Sequence, residues 1–212
     1  EWIVIDDSGP RRTAHLRPFA LAGGEAAVRE PRRCAWAVAL ETMGEDWLEE
    51  HTWVRERLEL SAVQARNLTK IIQAPGLAPR TSSAGRLFDA ISSLLGLCHV
   101  NHFEGQAACA LEWSLPPACS PDAPSYHFEI PDHNTCAGPV IADWRAMIAE
   151  ILFDVERKIP IGIIAQKVHN AMVEIIVAMA KNSCIPTVAL GGGCFQNKYL
   201  LEGSLAGLVH AG

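Results

Sequence analysis

The sequence predicts an α/β fold with more helix than strand. Three observations carry this. Short β-branched or alternating runs ("WIVI", "TAHLRPF", "GPVIADW", "IPTVAL") are bounded by turn residues. Longer stretches between them place apolar residues at helical spacing. Near the C-terminal end, the run 185–190 meets three consecutive glycines and then a helix-like segment.

Taken in order, "EWIVIDDSGPRRTAHLRPF" reads as a hairpin turning at "DDSGP". A Gly pair breaks the chain, and "EPRRCAWAVALETM" follows as a helix with Pro31 in its first turn. Residues 45–73 form a charged helical region, and "APGLAPR" is a loop. "SSAGRLFDAISSLLGL" is an amphipathic helix with serine at its cap and Gly96 near its end. "NHFEGQAACALEW" is a further helix. A proline-rich connection near 114–125 divides the chain, and it can mark a boundary between two lobes. "YHFEI" and "GPVIADW" read as a strand pair, and "DWRAMIAEILFDVER" as a helix. A long buried helix opens at Pro160, "IPTVAL" reads as a buried strand, and "NKYLLEGSLAGLVHAG" as the last helix.

With 212 residues the chain can bury a core without disulfides or metals to staple it. The formal net charge is −6 and no basic stripe occurs, which argues against a nucleic-acid partner. No apolar stretch is expected to reach the roughly 18 residues of a membrane span, since "AMVEIIVAMA" is short and carries Glu174. Seven scattered cysteines without a CxxC read as reduced thiols of a cytoplasmic protein. The chain opens on Glu1 in a strand-like run with no targeting segment, and so reads as part of a longer protein.

The strand–glycine–helix junction is the most informative feature. Backbone N–H groups and a helix N-terminus facing one space make an anion site, with Asn197 capping the helix or meeting the ligand. A tight structural turn explains the same glycines. Neither a Walker loop nor a dinucleotide fingerprint is present. Gly85 costs its helix about 1 kcal/mol relative to alanine, which suggests close approach by another backbone or a ligand. Asp89 lies one turn on and shares its face, while Arg86 and Asp89 can simply pair on the surface. Arg29 and Arg32 in "VREPRR" suit either an anionic oxygen or structural ion pairs. His99 with His102, and His127 with His133 near Cys136, have metal-like spacing without a visible fourth ligand or supporting shell. The six tryptophans read as core or interface residues.

"HLRPFALAGGEAAVREPRR", "TSSAGRLFDAISSLLGL", "FEGQAACALE" and "LGGGCFQNKYLLE" together resemble the C-terminal carbamoyltransferase domain of the HypF hydrogenase maturation factors, in the same order and over nearly the whole chain. That domain is related to the TsaD threonylcarbamoyl-adenosine transferases and, more distantly, to actin and the sugar kinases. The resemblance implies that residues 1–212 are the helix-rich part of an actin-like, two-lobed transferase domain. It implies an adenine-nucleotide site (ATP or AMP) with Gly85 and Asp89 toward base or ribose and Gly191, Gly192, Gly193 and Asn197 at the phosphates. Ser83, Arg86 and Gln196 would belong to the same site, with Arg29, Arg32 and Glu104 near phosphate or carbamoyl oxygens. The divalent metal of the family (zinc, iron or magnesium) has its ligands in a paired-histidine helix and an NDGG motif, both outside this chain, so none is expected here.

The activity implied is transfer of a carbamoyl group, activated by ATP from carbamoyl phosphate as carbamoyl-adenylate, to the C-terminal cysteine of HypE. Carbamoyl transfer to a sugar hydroxyl is a second reading, and a non-catalytic nucleotide-binding lobe a third. Glu25, Phe103 and Cys194 depart from the aspartate, tyrosine and small apolar residue usual in the family.

Overall fold

The computed structural model describes residues 1–119, 123–131, 138–183 and 185–211. Helices dominate and two small sheets accompany them.

β1 (Trp2–Asp6) and β2 (Gly9–Leu16) form the expected hairpin. Its turn is held by Asp6, whose carboxylate accepts from the Ser8 backbone N–H at 2.9 Å and from Arg11 Nη2 at 2.9 Å. β2 then pairs in parallel with β5 (Val140–Ala142), Ala14 lying opposite Val140. The residues after these strands lock the pairing. Trp144 Nε1 donates to the Arg17 carbonyl at 2.6 Å, Arg17 pairs with Asp143 at 3.2 Å, and the buried Trp144 ring meets Phe19 edge-on. From "YHFEI" only Glu129 joins the structure expected of it, as an antiparallel bridge to Asp143. β3 (Phe19–Ala20) pairs with β4 (Arg80–Thr81) inside the stretches read as the hairpin's end and as a loop. Two-residue strands are too short to show alternation.

After α1 (Glu25–Arg29) comes α2 (Pro31–Met43), with Pro31 in its first turn as expected. Cys34, Ala35, Ala37, Val38 and Ala39 of α2 are fully buried, and these small side chains let it pack against α6 and α8. The charged region 45–73 splits into α3 (Glu45–Glu50), α4 (Trp53–Arg57) and α5 (Ala62–Gln73). Ser61 and Gln64 form a reciprocal capping box at the start of α5.

α6 (Ala84–Leu94) is capped by Ser83, whose hydroxyl accepts from the Arg86 N–H, and Gly96 closes it at φ +74°. Leu87, Phe88, Ile91, Leu94 and Leu95 are buried, each worth about 1.5–3 kcal/mol of transfer energy. The Arg57 guanidinium sits on its last carbonyls, Leu94 at 2.6 Å and Leu95 beside it. α7 (Gln106–Trp113) and α8 (Arg145–Glu156) follow.

α9 (Ile161–Ser183) overturns the expectation about apolar length. By length and composition it could cross a membrane, with a mean hydropathy of 1.4 over 18 residues. Half of that window is buried within the fold, and the helix carries Gln166, His169 and Asn170 as buried polar groups. This is the packing of a core helix. α10 (Lys198–Ala211) lies along it, with Gly203 and Gly207 against Val173 and Val177.

Residues 185–190 do not form the expected buried strand. They are irregular, with a bend at Pro186, and mostly exposed, and among the described residues no strand pairs with them. Trp113 is 75% exposed, against the expectation for the tryptophans, whereas Trp36 and Trp144 are core residues. Of the connection near 114–125, residues 120–122 lie outside the described residues.

Candidate functional site

The two stretches singled out in the sequence meet in space. Gly191 is followed by Gly192 at φ +97°, a conformation that side chains rarely adopt, and then by one turn of 3-10 helix, Gly193–Gln196. That turn lies against the start of α6. A Cβ built on Gly191, Gly192 or Gly193 would have no atom within 4 Å. Among the described residues, none accepts a hydrogen bond from the N–H groups of these glycines. The loop thus presents bare, unsatisfied donors to open space. Such donors suit an anion.

Across from the loop, Cys194 lies beside Gly85 at the start of α6, and burial pushes its thiol up. A Cβ on Gly85 would sit 3.6 Å from Ser83 Oγ and 4.0 Å from Cys194 Sγ, which is ordinary contact. The expected close backbone approach is therefore absent. Packing does not require glycine there.

Asp89 is fully buried, not part of a surface pair. Arg86 Nη1 lies 2.8 Å from Oδ2, but its N–H is not aimed at that oxygen, and neither carboxylate oxygen has a hydrogen-bond partner. The same nitrogen reaches the Val28 carbonyl at 3.5 Å. Burial pushes the carboxyl up to about 6, against the downward pull of Arg86. A buried carboxylate that is ion-paired but accepts no hydrogen bond, one turn inside a capped helix, is a group that a ligand hydroxyl or amine could satisfy.

Arg29 is exposed, and its carbonyl accepts from the Asn101 N–H at 2.7 Å beside the Arg86–Val28 contact. Arg32 is spoken for: its Nε and Nη2 donate to Glu30 at 3.0 and 2.9 Å, and Nη1 reaches the Glu59 carbonyl. Of the two readings of Arg32, the ion pair is the one present. Glu104 and Gln196 are exposed.

Asn197 is held at both ends of its amide. Oδ1 accepts from the Leu200 N–H at 2.8 Å, capping α10, and Nδ2 is 2.8 Å from His169 Nε2. His169 went unnoticed in the sequence as one histidine in an apolar helix. The available signal was the polar set Gln166, His169 and Asn170, which shares one face of α9. Tyr199 extends this layer, donating to Asn170 Oδ1 at 2.7 Å, and its ring meets His169 edge-on.

Of the residues with metal-like spacing, His99 bonds Ser93 Oγ at 2.8 Å, and His133 and Cys136 lie outside the described residues. Among the described residues no three His, Cys, Asp or Glu side chains converge. A cavity of about 360 Å³ among α2, α3, α4 and α5, floored by Trp36 and Leu48, shares no lining residue with the glycine loop or α6.

Comparison with known proteins bears on this arrangement. A family model described as "Carbamoyltransferase, Kae1-like Domain, second subdomain" matches residues 1–212. The carbamoyltransferase HypF of Synechocystis is 37% identical over all of this chain and 28% of its own length. A HypF homolog of Cupriavidus necator is 33% identical over all of this chain and 54% of its own length. The chain thus spans about a quarter to a half of these relatives. The crystal structure of full-length HypF in its phosphate- and nucleotide-bound form superposes with a TM-score of 0.84, at 27% identity over 99% of this chain and 32% of that one. The structure of HypF from T. kodakarensis gives a TM-score of 0.74 at 24% identity, a likeness of fold. The helix-rich α/β fold expected from the sequence is the fold found. With the match running from the first strand to the last helix, the chain belongs to the Kae1-like carbamoyltransferase domain family, as its second subdomain.

Proposed function

We propose that this chain forms the nucleotide-holding part of a cytoplasmic carbamoyltransferase. The parent protein would activate a carbamoyl group from carbamoyl phosphate with ATP and transfer it to the C-terminal cysteine thiolate of HypE. The observation that carries the reading is the glycine loop. Three bare glycines offer N–H groups without a protein acceptor to open space, and the neighbouring α6 carries a buried carboxylate that is ion-paired with Arg86 but accepts no hydrogen bond.

When bound as the carbamoyl mixed anhydride, the nucleotide supplies a phosphate leaving group. The chain's own residues then have separate tasks. Gly191, Gly192 and Gly193 receive phosphate oxygens on their N–H groups, where negative charge grows as the carbon–oxygen bond breaks and the carbon–sulfur bond forms. Ser83 and Gly85 border the same space. Asp89 accepts from a ribose hydroxyl or base amine, which requires Arg86 to swing aside. Gln196, Arg29 and Glu104 are exposed polar groups available to the phosphate or carbamoyl oxygens. Arg32 would have to leave Glu30 to join them. The acceptor thiol comes from the partner, so none of this chain's cysteines needs to act as a nucleophile.

Calorimetric titration of AMP into the full-length natural protein tests the reading, beside Gly192→Val and Asp89→Ala. Saturable binding that both substitutions weaken at least tenfold is expected. A folded wild type that binds no adenine nucleotide reduces the glycine loop to a turn. If binding holds, a thiol-acceptor assay against a sugar hydroxyl separates the two acceptor classes.

A further inference from the structure

The glycine loop has few polar tethers. Between Gly191 and Asn197 the described side-chain hydrogen bonds to the rest of the molecule are both made by the Asn197 amide, to His169 and to the Leu200 N–H. The bond to His169 is directional at both ends. His169 Nδ1 lies 2.7 Å from the Ala165 carbonyl, which can only accept, so Nδ1 carries the proton. Nε2 is then an acceptor, and only the amide nitrogen of Asn197 can face it. This orientation turns Oδ1 to the Leu200 N–H, the cap of α10. One carbonyl on α9 thereby dictates a tautomer, the tautomer dictates an amide orientation, and the amide joins the exit of the loop to α9 and α10 at once. His169 is fully buried, packed between Phe88 of α6 and Tyr199 of α10, so it touches two of the helices that border the loop.

We infer that His169 is a positioning residue: its unprotonated Nε2 fixes the Asn197 amide and so sets where Gly191–Gly193 stand relative to α6. The consequence for nucleotide affinity rests on the function proposed above. The consequence for loop order does not.

The two histidine nitrogens can be replaced separately. His169→Gln can place an acceptor near the Nε2 position. His169→Asn can keep a donor near Nδ1 but leaves Asn197 without its partner. Asn197→Ser keeps a capping oxygen for α10 and removes the donor to His169.

The experiment measures amide exchange of peptides within residues 190–201, and the AMP dissociation constant, in the full-length natural protein. Exchange at least tenfold faster and AMP binding at least tenfold weaker are expected in His169→Asn and in Asn197→Ser. No further loss is expected in the double variant, and His169→Gln should stay within threefold of wild type. If His169→Asn fails to fold, the comparison of Asn197→Ser with wild type decides alone. Wild-type exchange in a folded His169→Asn or Asn197→Ser protein overturns the inference, as does additive loss in the double variant. If wild type binds no AMP, the nucleotide reading falls, and the exchange rates still decide whether His169 orders the loop.

Discussion

The contact between α9 and α10 makes a prediction whose sign depends on distance. A Cβ on Gly207 would stand 2.7 Å from Val177 Cγ2, and one on Gly203 would stand 2.9 Å from Val173 Cγ2. Carbon atoms settle at about 3.5–4.0 Å, so Gly207→Ala must find about 1 Å between a helix backbone and a stiff, β-branched side chain. Helix propensity alone would make that substitution stabilising by about 1 kcal/mol. Overpacking a close contact costs about 1–3 kcal/mol. The single variant should therefore fall between neutral and about 2 kcal/mol less stable. On a Val177→Ala background the obstructing methyl is gone, and the same substitution should recover the gain of about 1 kcal/mol. The coupling in the double-mutant cycle is thus about 1–3 kcal/mol, read by urea denaturation of the four proteins. A Gly207→Ala variant that is about 1 kcal/mol more stable than wild type, with effects additive to Val177→Ala, would refute the close packing.

Three further predictions follow from named contacts. The folded carboxyl of Asp89 lies near 6 against an ordinary 3.8, so it holds a proton that the unfolded chain releases. Its contribution is complete below about pH 4 and lost as pH rises through 6, a swing of about 2–3 kcal/mol. Asp89→Asn should gain stability relative to wild type across that interval, and a difference that stays constant from pH 4 to 7 in urea titrations would count against the burial argument. Arg57→Ala removes the donors to the Leu94 and Leu95 carbonyls and should cost about 2–3 kcal/mol in the same assay. Ser83→Ala uncaps α6 and should cost about 1 kcal/mol, with Ser83→Asp close to wild type.

The legible parts of this fold were those with local chemistry of their own. The hairpin turn, Pro31 at the start of α2, Ser83 and Gly96 around α6, and Pro160 before α9 each specify backbone geometry within a few residues. The division of residues 45–73 went unread although Ser61 and Gln64 spell a capping box at the start of α5, because no glycine or proline marks the break after Leu58, where Glu59 instead takes φ +53°. The run 185–190 has strand-like residues, but a strand also needs a neighbour, and composition carries no information about that. The site divides the same way. The glycine loop announced itself, whereas the burial of Asp89 beneath Arg86 depends on packing from elsewhere. His169 became significant only once α9 was seen to lie under the loop.

The parallel pairing of β2 with β5 has a consequence for how the molecule is made. Its two partners, beginning at Ala14 and Val140, are separated by α1 through α7. At synthesis rates of about 5–20 residues per second, roughly 6–25 seconds pass between the appearance of the two strands on the ribosome. During that interval the β1–β2 hairpin, a unit that is marginal by itself, carries an unpaired edge. The closing step must also gather a long loop before any strand contact rewards it. The yield of folded protein should therefore respond to the pace of translation, and to whatever shields a nascent strand edge, more than to the stability of the finished fold.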